Sequence, residues 1–212
     1  MAGARDDFLA AARSAAGLLR EPAVAVAWRE PSALPGFGVA GLAGHLAYQV
    51  LTVASALADP VPEEPTLSLL EHYDRAKWVD ADLDDEVNVR IRQGGEHVAA
   101  PGAAALADRV DATVSELTDA LATAPERPVR IPLWGPWSLM LEDLLVTRLM
   151  ELAVHSDDLA VSVGVTTPEL PPGAVETVVD LLSRLAVRRH GPTAVLRALS
   201  RAERAPSTIA AF

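Results

Sequence analysis

Apolar residues recur at intervals of three and four positions along most of the chain, a pattern typical of amphipathic helices. We predict helices at about 5–20, 39–57, 66–79, 83–96, 103–123, 138–163 and 174–190, followed by a short final segment. Proline and glycine mark the breaks, and we interpret the pairs Gly94-Gly95 and Pro101-Gly102 as two of them. Residues 129–137 are the one strand candidate of note. Short connections and so little strand predict an all-α helical bundle.

The helix predicted at 138–163 carries a stripe of polar residues. Arg148, Glu151, His155 and Asp158 are three or four positions apart and therefore share one face. Leucines continue this face on both sides of the stripe, so we expect it to point inward. Charges on an inward face are costly unless they pair or bind a metal. Glu151 and His155 can offer an oxygen and an imidazole nitrogen to one metal ion, or they can form an ordinary ion pair.

A third ligand is available in the apolar helix predicted at 39–57. His45 lies there among Leu42, Leu46 and Val53. Such a histidine is either a hydrogen-bonded core residue or a metal ligand, and both interpretations stay open at this point. Two histidines and one carboxylate would leave a fourth position free, as in catalytic rather than structural zinc sites. These ligand types favour zinc, with nickel or iron as alternatives.

Two motifs carry a resemblance to a known family. The first begins at a tryptophan and runs through a Pro/Gly-rich segment to His45, and the second is Arg148-x-x-Glu151-x-x-x-His155-x-x-Asp158. Together they resemble the mycothiol-dependent maleylpyruvate isomerase family, which belongs to the DinB-like superfamily. The resemblance implies a four-helix bundle that holds a divalent metal through His45, Glu151 and His155. It also implies mycothiol as a thiol cofactor, in keeping with a chain that has no cysteine of its own.

The expected activity is that of a mycothiol-dependent metalloenzyme. A divalent ion lowers the pKa of a bound water or thiol, so a thiolate forms without a protein base. Addition of that thiolate to a small electrophile, followed by bond rotation and elimination of the thiol, gives cis-trans isomerisation. Addition without elimination gives S-transfer, and the sequence does not separate the two outcomes. We assign Arg148 and Asp158 to the catalytic machinery as residues that orient Glu151 and His155, with ion pairs between helices as the alternative. A non-catalytic bundle that binds metal and a small ligand is the competing function.

Two tryptophans precede the polar helix. Trp134 and Trp137 flank a Gly-Pro turn. Either they form a lip over the metal pocket that shapes the substrate cavity, or they form a hydrophobic plug between helices. We assign them to cofactor binding and keep the plug as the alternative. The remaining histidines, His72, His97 and His190, have no partner motif, and we do not expect them to be ligands.

The resemblance also predicts the domain organisation. We expect the DinB-like bundle over 1–165, and a linker with a short helical extension packed on the bundle over 166–212. The prototype isomerase instead carries a C-terminal α/β domain that contributes a substrate-binding arginine. Maleylpyruvate is therefore not the expected substrate. The basic segment 188–212 either docks on the acidic bundle or supplies an arginine that clamps a carboxylate.

Composition limits the partners. The formal net charge of −11 argues against nucleic acids and anionic membrane surfaces. No run approaches the roughly 18 uncharged apolar residues that span a bilayer. Asp6 and Asp7 stand where the apolar region of a secretory signal would begin. We therefore expect a cytoplasmic monomer or homodimer whose partners are a small thiol and an electrophilic substrate.

Overall fold

Helices dominate the computed structural model, which describes residues 3–79 and 81–212. The helices are α1 (Ala4–Leu19), α2 (Pro22–Val26), α3 (Val39–Ala58), α4 (Leu69–Arg75), α5 (Glu86–Ala99), α6 (Ala103–Thr123), α7 (Leu141–Val163), α8 (Pro172–His190) and α9 (Pro192–Ser200), with a 3₁₀ turn at Ala202–Arg204. The strands are β1 (Thr66–Leu67), β2 (Pro128–Val129) and β3 (Ser138–Met140). The predicted all-α class is confirmed.

Four long helices enclose the core. Around the bundle, α1 packs against α6, α6 against α3, α3 against α7, and α7 against α1. Phe8, Leu46, Leu117 and Leu149, one from each helix, are at most 1% exposed and belong to one continuous apolar cluster. Their burial removes apolar surface from water and is the main force that holds the bundle together. The site residues on α3 and α7 therefore lie on neighbouring helices of a rigid core.

The last two helices form the predicted extension. α8 packs against α7 and α1, and it buries Val178, Leu181 and Leu185 against them. α9 follows α8 after Gly191, whose φ of 80° suits a residue without a side chain. The C-terminal helical extension is thus confirmed.

The predicted helix at 66–79 is shorter than the apolar pattern suggested. Its first residues form β1, and α4 begins only after Ser68. The Ser68 hydroxyl accepts from the backbone N–H of Glu71, and the Glu71 carboxylate accepts from the backbone N–H of Ser68, which makes a capping box. The helix ends at Arg75.

A small sheet joins two loops at one end of the bundle. β3 lies in the middle, parallel to β1 through the pair Leu67↔Leu139 and antiparallel to β2 through the pair Val129↔Leu139. The polar helix therefore starts at residue 141 and not at 138 as predicted, because 138–140 pair as a strand. The predicted extended segment 129–137 contributes only its first residue to a strand and continues as turns.

Gly94 and Gly95 do not break a helix, contrary to the prediction. Both lie inside α5. A Cβ atom at Gly44 would collide with the carbonyl oxygen of Gly95, and a Cβ atom at Gly95 would collide with that of Gly41. Only glycine lets two helix backbones approach this closely. The contact fixes α3 beside α5 next to His45, whose backbone nitrogen would lie 3.2 Å from a Cβ at position 95.

One helix of the described chain is long and apolar enough to cross a membrane, which the sequence analysis did not expect. This helix is α3, with a mean hydropathy of 1.3 in its best window. Its neighbours bury 72% of that window, which is the burial of a core helix in a bundle. The apolar character of α3 is thus used for packing against other helices.

Candidate metal centre

Three side chains predicted as metal ligands converge between α3 and α7. His45 comes from α3, and Glu151 and His155 lie one turn apart on α7. Glu151 Oε2 lies 3.2 Å from His155 Nε2 and 3.5 Å from His45 Nε2. The two imidazole rings meet edge to face, with centroids 4.7 Å apart. One atom from each residue can therefore face a common point, and all three atoms lie within 4.8 Å of one another.

The two spacings that involve Glu151 suit a tetrahedral metal. Zinc bonds of about 2.0–2.2 Å place neighbouring ligand atoms about 3.3–3.6 Å apart in a tetrahedron. Both distances from Glu151 Oε2 fall at or close to this range. The three side chains expose 12–16% of their surface, so the centre is mostly buried but remains accessible. Two imidazoles and one carboxylate are a donor set that zinc accepts.

Electrostatics keeps the carboxylate charged. Burial alone would raise the pKa of Glu151, but hydrogen bonds to His155 and His45 and the charge of Arg148 hold it well below its usual value. Burial lowers the pKa of His45, and its hydrogen bond to Glu151 only partly opposes this. Near neutral pH His45 is therefore uncharged, which is the form that binds a metal.

His155 has the opposite shift. Burial would lower its pKa, but hydrogen bonds to Asp158 and Glu151 overcome this and raise it to about 9. The Asp158 carboxylate lies 2.9 Å from His155 Nδ1. With Nδ1–H held by Asp158, the other ring nitrogen faces Glu151. A carboxylate behind a metal-ligating imidazole commonly fixes the orientation of the ring.

Arg148 reaches across to α3 and not along α7 to Glu151. Its guanidinium donates to the side-chain oxygen of Gln49, and its Nε donates to Thr147 Oγ1 at 3.1 Å. The Gln49 amide nitrogen donates to the His45 carbonyl at 2.9 Å and lies 3.3 Å from His45 Nε2. Gln49 is fully buried and was missed in the sequence analysis. The sequence did hint at its role, because a glutamine stands one turn after His45 in an otherwise apolar helix.

The two tryptophans both contact the ring of His72, with centroid distances of 4.3 Å for Trp134 and 6.2 Å for Trp137. The ring of Trp134 lies under the Arg148 guanidinium at 4.9 Å, a cation–π contact that links it to the centre. Trp137 packs against Leu67 and Leu139 and donates through Nε1 to His72 Nδ1 at 3.2 Å. Trp134 packs against the same apolar cluster and in addition contacts Arg148, which favours the ionised form of Glu151.

The C-terminal arginines find partners elsewhere. Arg188 pairs with Asp74 on α4, and the Arg204 side chain lies 3.7 Å from Glu203. Arg201 donates to the carbonyl of Ser200. The contact of Arg188 with Asp74 joins the end of α8 to α4. None of these three contacts involves the metal centre.

The sequence of the bundle agrees with one family model. The model described as mycothiol maleylpyruvate isomerase N-terminal domain matches residues 8–160. The chain belongs to this family. The match covers more than two thirds of the chain. The matched range includes the three residues of this chain that converge, His45, Glu151 and His155. No curated protein and no solved structure matches the chain.

Proposed function

We propose that this protein is a mycothiol-dependent metalloenzyme of the isomerase or S-transferase type. The observation that carries the proposal is the convergence of His45, Glu151 and His155 within 4.8 Å. A divalent ion held there, most simply zinc with nickel or iron as alternatives, would supply positive charge that lowers the pKa of a bound thiol. The thiolate would then add to the double bond of a small activated alkene, or displace from a small electrophile a leaving group that departs with its bonding electron pair.

The residues around the ligands have separate tasks in this proposal. Asp158 accepts a hydrogen bond from the Nδ1–H of His155 and so would keep the other ring nitrogen directed at the ion. Arg148 favours the ionised form of Glu151 and is itself held by Gln49. Trp134 covers the Arg148 guanidinium and limits its access to water. We propose that these four side chains keep the three ligands in place without binding the ion.

The chain's composition supports a thiol that comes from a cofactor. The sequence has no cysteine, and the family's description names mycothiol. We propose that residues 1–165 form the catalytic bundle and that 166–212 support it, in a cytoplasmic monomer or homodimer.

Metal analysis of protein purified without a histidine tag tests the proposal first. We expect close to one divalent ion per chain, and its loss in His45→Ala. His97→Ala is the matched control, because His97 is an exposed histidine at the end of α5. Glu151→Gln keeps the side-chain volume and should also lose metal while it stays folded. Equal metal content in His45→Ala and the wild type would refute the ligand assignment.

Thiol turnover tests the catalytic part. The metal-loaded protein is incubated with mycothiol and a panel of small electrophiles, and product is measured by mass spectrometry. We expect metal-dependent product that Glu151→Gln does not form. A protein that binds metal and thiol but forms no product with any electrophile would be the non-catalytic binding bundle.

A further inference from the structure

A cavity lies between α3, the turn that joins α5 to α6, and the loop at 130–133. Its volume is about 650 Å³. Small-molecule sites in proteins commonly have volumes of about 300–1,000 Å³. The three convergent side chains of the metal centre are not among the residues that line this cavity. It is therefore a space separate from the metal centre, and neither the sequence analysis nor the proposed function uses it.

Thr52 brings a buried hydroxyl without a partner to this cavity. The residue lines the cavity from α3, is 7% exposed, and makes no side-chain hydrogen bond to the described part of the chain. The other buried threonines of the described helices, Thr113 and Thr147, both donate to a carbonyl of their own helix. A buried hydroxyl without a partner costs free energy, because it has lost its bonds to water. Thr52 is thus the exception that needs a partner.

The Thr52 hydroxyl can be reached from the cavity. In the described part of the chain, the side-chain atoms that are both unpaired and sealed from solvent are Arg5 Nε and the Tyr73 hydroxyl oxygen. The Thr52 oxygen is unpaired but is not one of these sealed atoms, so it borders open space. Because Thr52 lines the cavity, a molecule in the cavity can form the missing hydrogen bond.

The charges around the cavity favour an anion. Arg109 of α6 and Arg130 both line it, and Asp59 is the one acidic residue in its described lining. Arg130 forms an ion pair with Glu64, whereas Arg109 has no ion pair or side-chain hydrogen bond with the described part of the chain. Guanidinium groups bind carboxylates through two parallel hydrogen bonds. Arg109 is therefore free to bind a carboxylate.

Apolar side chains form another part of the wall. Leu51 and Ile131 are buried and line the cavity. Leu133 also lines it but is 84% exposed. A ligand with an apolar body would cover Leu133, and the removal of this apolar surface from water would favour binding. The best occupant therefore has an apolar body as well as an anionic end.

We propose that this cavity binds a small organic carboxylate with an apolar body, such as an aromatic acid. Arg109 pairs with the carboxylate, and the Thr52 hydroxyl forms a hydrogen bond with an oxygen of the ligand. The apolar body lies against Leu51, Ile131 and Leu133. This site is additional to the metal centre and does not depend on the proposed function.

The competing explanation is that the cavity holds only water, which would satisfy Thr52 without selecting a ligand. Thr52→Val removes the hydroxyl and nearly keeps the shape of the side chain, whereas Thr52→Ser keeps the hydroxyl. Arg109→Gln removes the charge from the cavity. Arg197→Gln is its matched control, because Arg197 is an exposed arginine on α9 that does not line the cavity.

The experiment measures the affinity of the 212-residue chain for 2-naphthoate and for its neutral counterpart 2-naphthamide, by calorimetry and by NMR chemical shifts. We expect wild type to bind naphthoate about tenfold more tightly than naphthamide, with shifts at Leu51 and Ile131. Affinity for naphthoate should fall about tenfold in Arg109→Gln and about fivefold in Thr52→Val, at an equal or higher melting temperature for Thr52→Val. Thr52→Ser and Arg197→Gln should bind naphthoate as wild type does.

The outcomes separate this inference from the proposed function. No binding of naphthoate by wild type, or equal affinity for naphthoate and naphthamide, would overturn the carboxylate site. Unchanged affinity in Arg109→Gln, or equal affinity in Thr52→Val and Thr52→Ser, would also overturn it. His45→Ala should bind naphthoate with wild-type affinity, and a loss of binding there would place the probe at the metal centre and refute the inference. A chain that binds naphthoate as expected but holds no metal would support this site and refute the proposed function.

Discussion

Metal binding by this protein should depend steeply on pH, because the two imidazoles of the centre have opposite pKa shifts. Burial lowers the pKa of His45 below 6.5, so it is neutral at pH 7 and already able to bind a metal. The pKa of His155 is raised to about 9, so in the metal-free protein this ring is protonated at pH 7. A metal must displace that proton. We expect the ligand side chains to release one proton per ion at pH 7, and not two.

The magnitude follows from the same shift. Competition with one proton changes the affinity about tenfold per pH unit below the pKa, so it should rise about 100-fold between pH 7 and 9 and then level off. The free energy of unfolding of the metal-free protein should instead fall as the pH rises. Because the pKa of His155 is raised from 6.5 to about 9, its protonated ring stabilises the folded state. This stabilisation is fully present below pH 6.5 and is lost as the pH rises to about 9. Its full size is about 3 kcal/mol.

Two measurements check this prediction. Calorimetric titration with zinc in buffers of different ionisation enthalpy counts the protons, and an NMR titration of the metal-free protein gives the pKa of His155 directly. Asp158→Asn is the control, because it removes one of the two carboxylates that raise the pKa and should move the rise in affinity to lower pH. An affinity that is constant from pH 7 upward, or a His155 pKa near 6.5, would refute the reasoning.

Three further predictions concern stability and use chemical denaturation. Gly95→Ala forces a Cβ atom against a carbonyl oxygen of α3 and should destabilise the protein by about 1–3 kcal/mol. The Cβ atom of Gly94→Ala meets open space, so this variant should stabilise the protein by about 1 kcal/mol. Equal effects of the two variants would contradict the close contact of α3 and α5. Gln49→Leu removes the acceptor of Arg148 Nη1 and leaves only the bond from Nε to Thr147, so it should lower the free energy of unfolding by about 1.5–3 kcal/mol. A neutral effect would mean that Nη1 finds another acceptor. Arg188→Ala removes an exposed ion pair and should change stability by less than about 1 kcal/mol, so a larger loss would show that the pair fastens α8.

Local spacing made part of the metal centre predictable. Glu151 and His155 are four positions apart on one helix, so the helical repeat alone brings them together. His45 is 106 positions before Glu151, and no periodicity reports that α3 and α7 are neighbours. The resemblance to a family supplied that pairing. Contacts between helices were also hidden for Arg148. Its spacing of three positions from Glu151 suggested that it orients Glu151 along the helix, but its guanidinium reaches across to Gln49 on α3.

Long-range contacts decided the features that the sequence did not reveal. The apolar pattern at 66–79 predicted one helix, but pairing of β1 with β3 removed its first residues. A capping box then set the start of α4. Gly94 and Gly95 illustrate a second limit, since glycine serves both as a helix break and as a site of close helix approach. Only the partner helix distinguishes the two.

Charge balance at the centre has a consequence for the order of assembly. In the metal-free protein the carboxylates of Glu151 and Asp158 face the guanidinium of Arg148 and the protonated ring of His155, so two negative charges meet two positive ones. We infer that the chain completes its core before it meets an ion, unlike small domains in which the metal drives folding. Unchanged far-UV circular dichroism after chelation at pH 7 would agree with this, and loss of helix would contradict it. The supply of metal in the cell would then set how many molecules carry an ion, while the number of folded molecules stays the same.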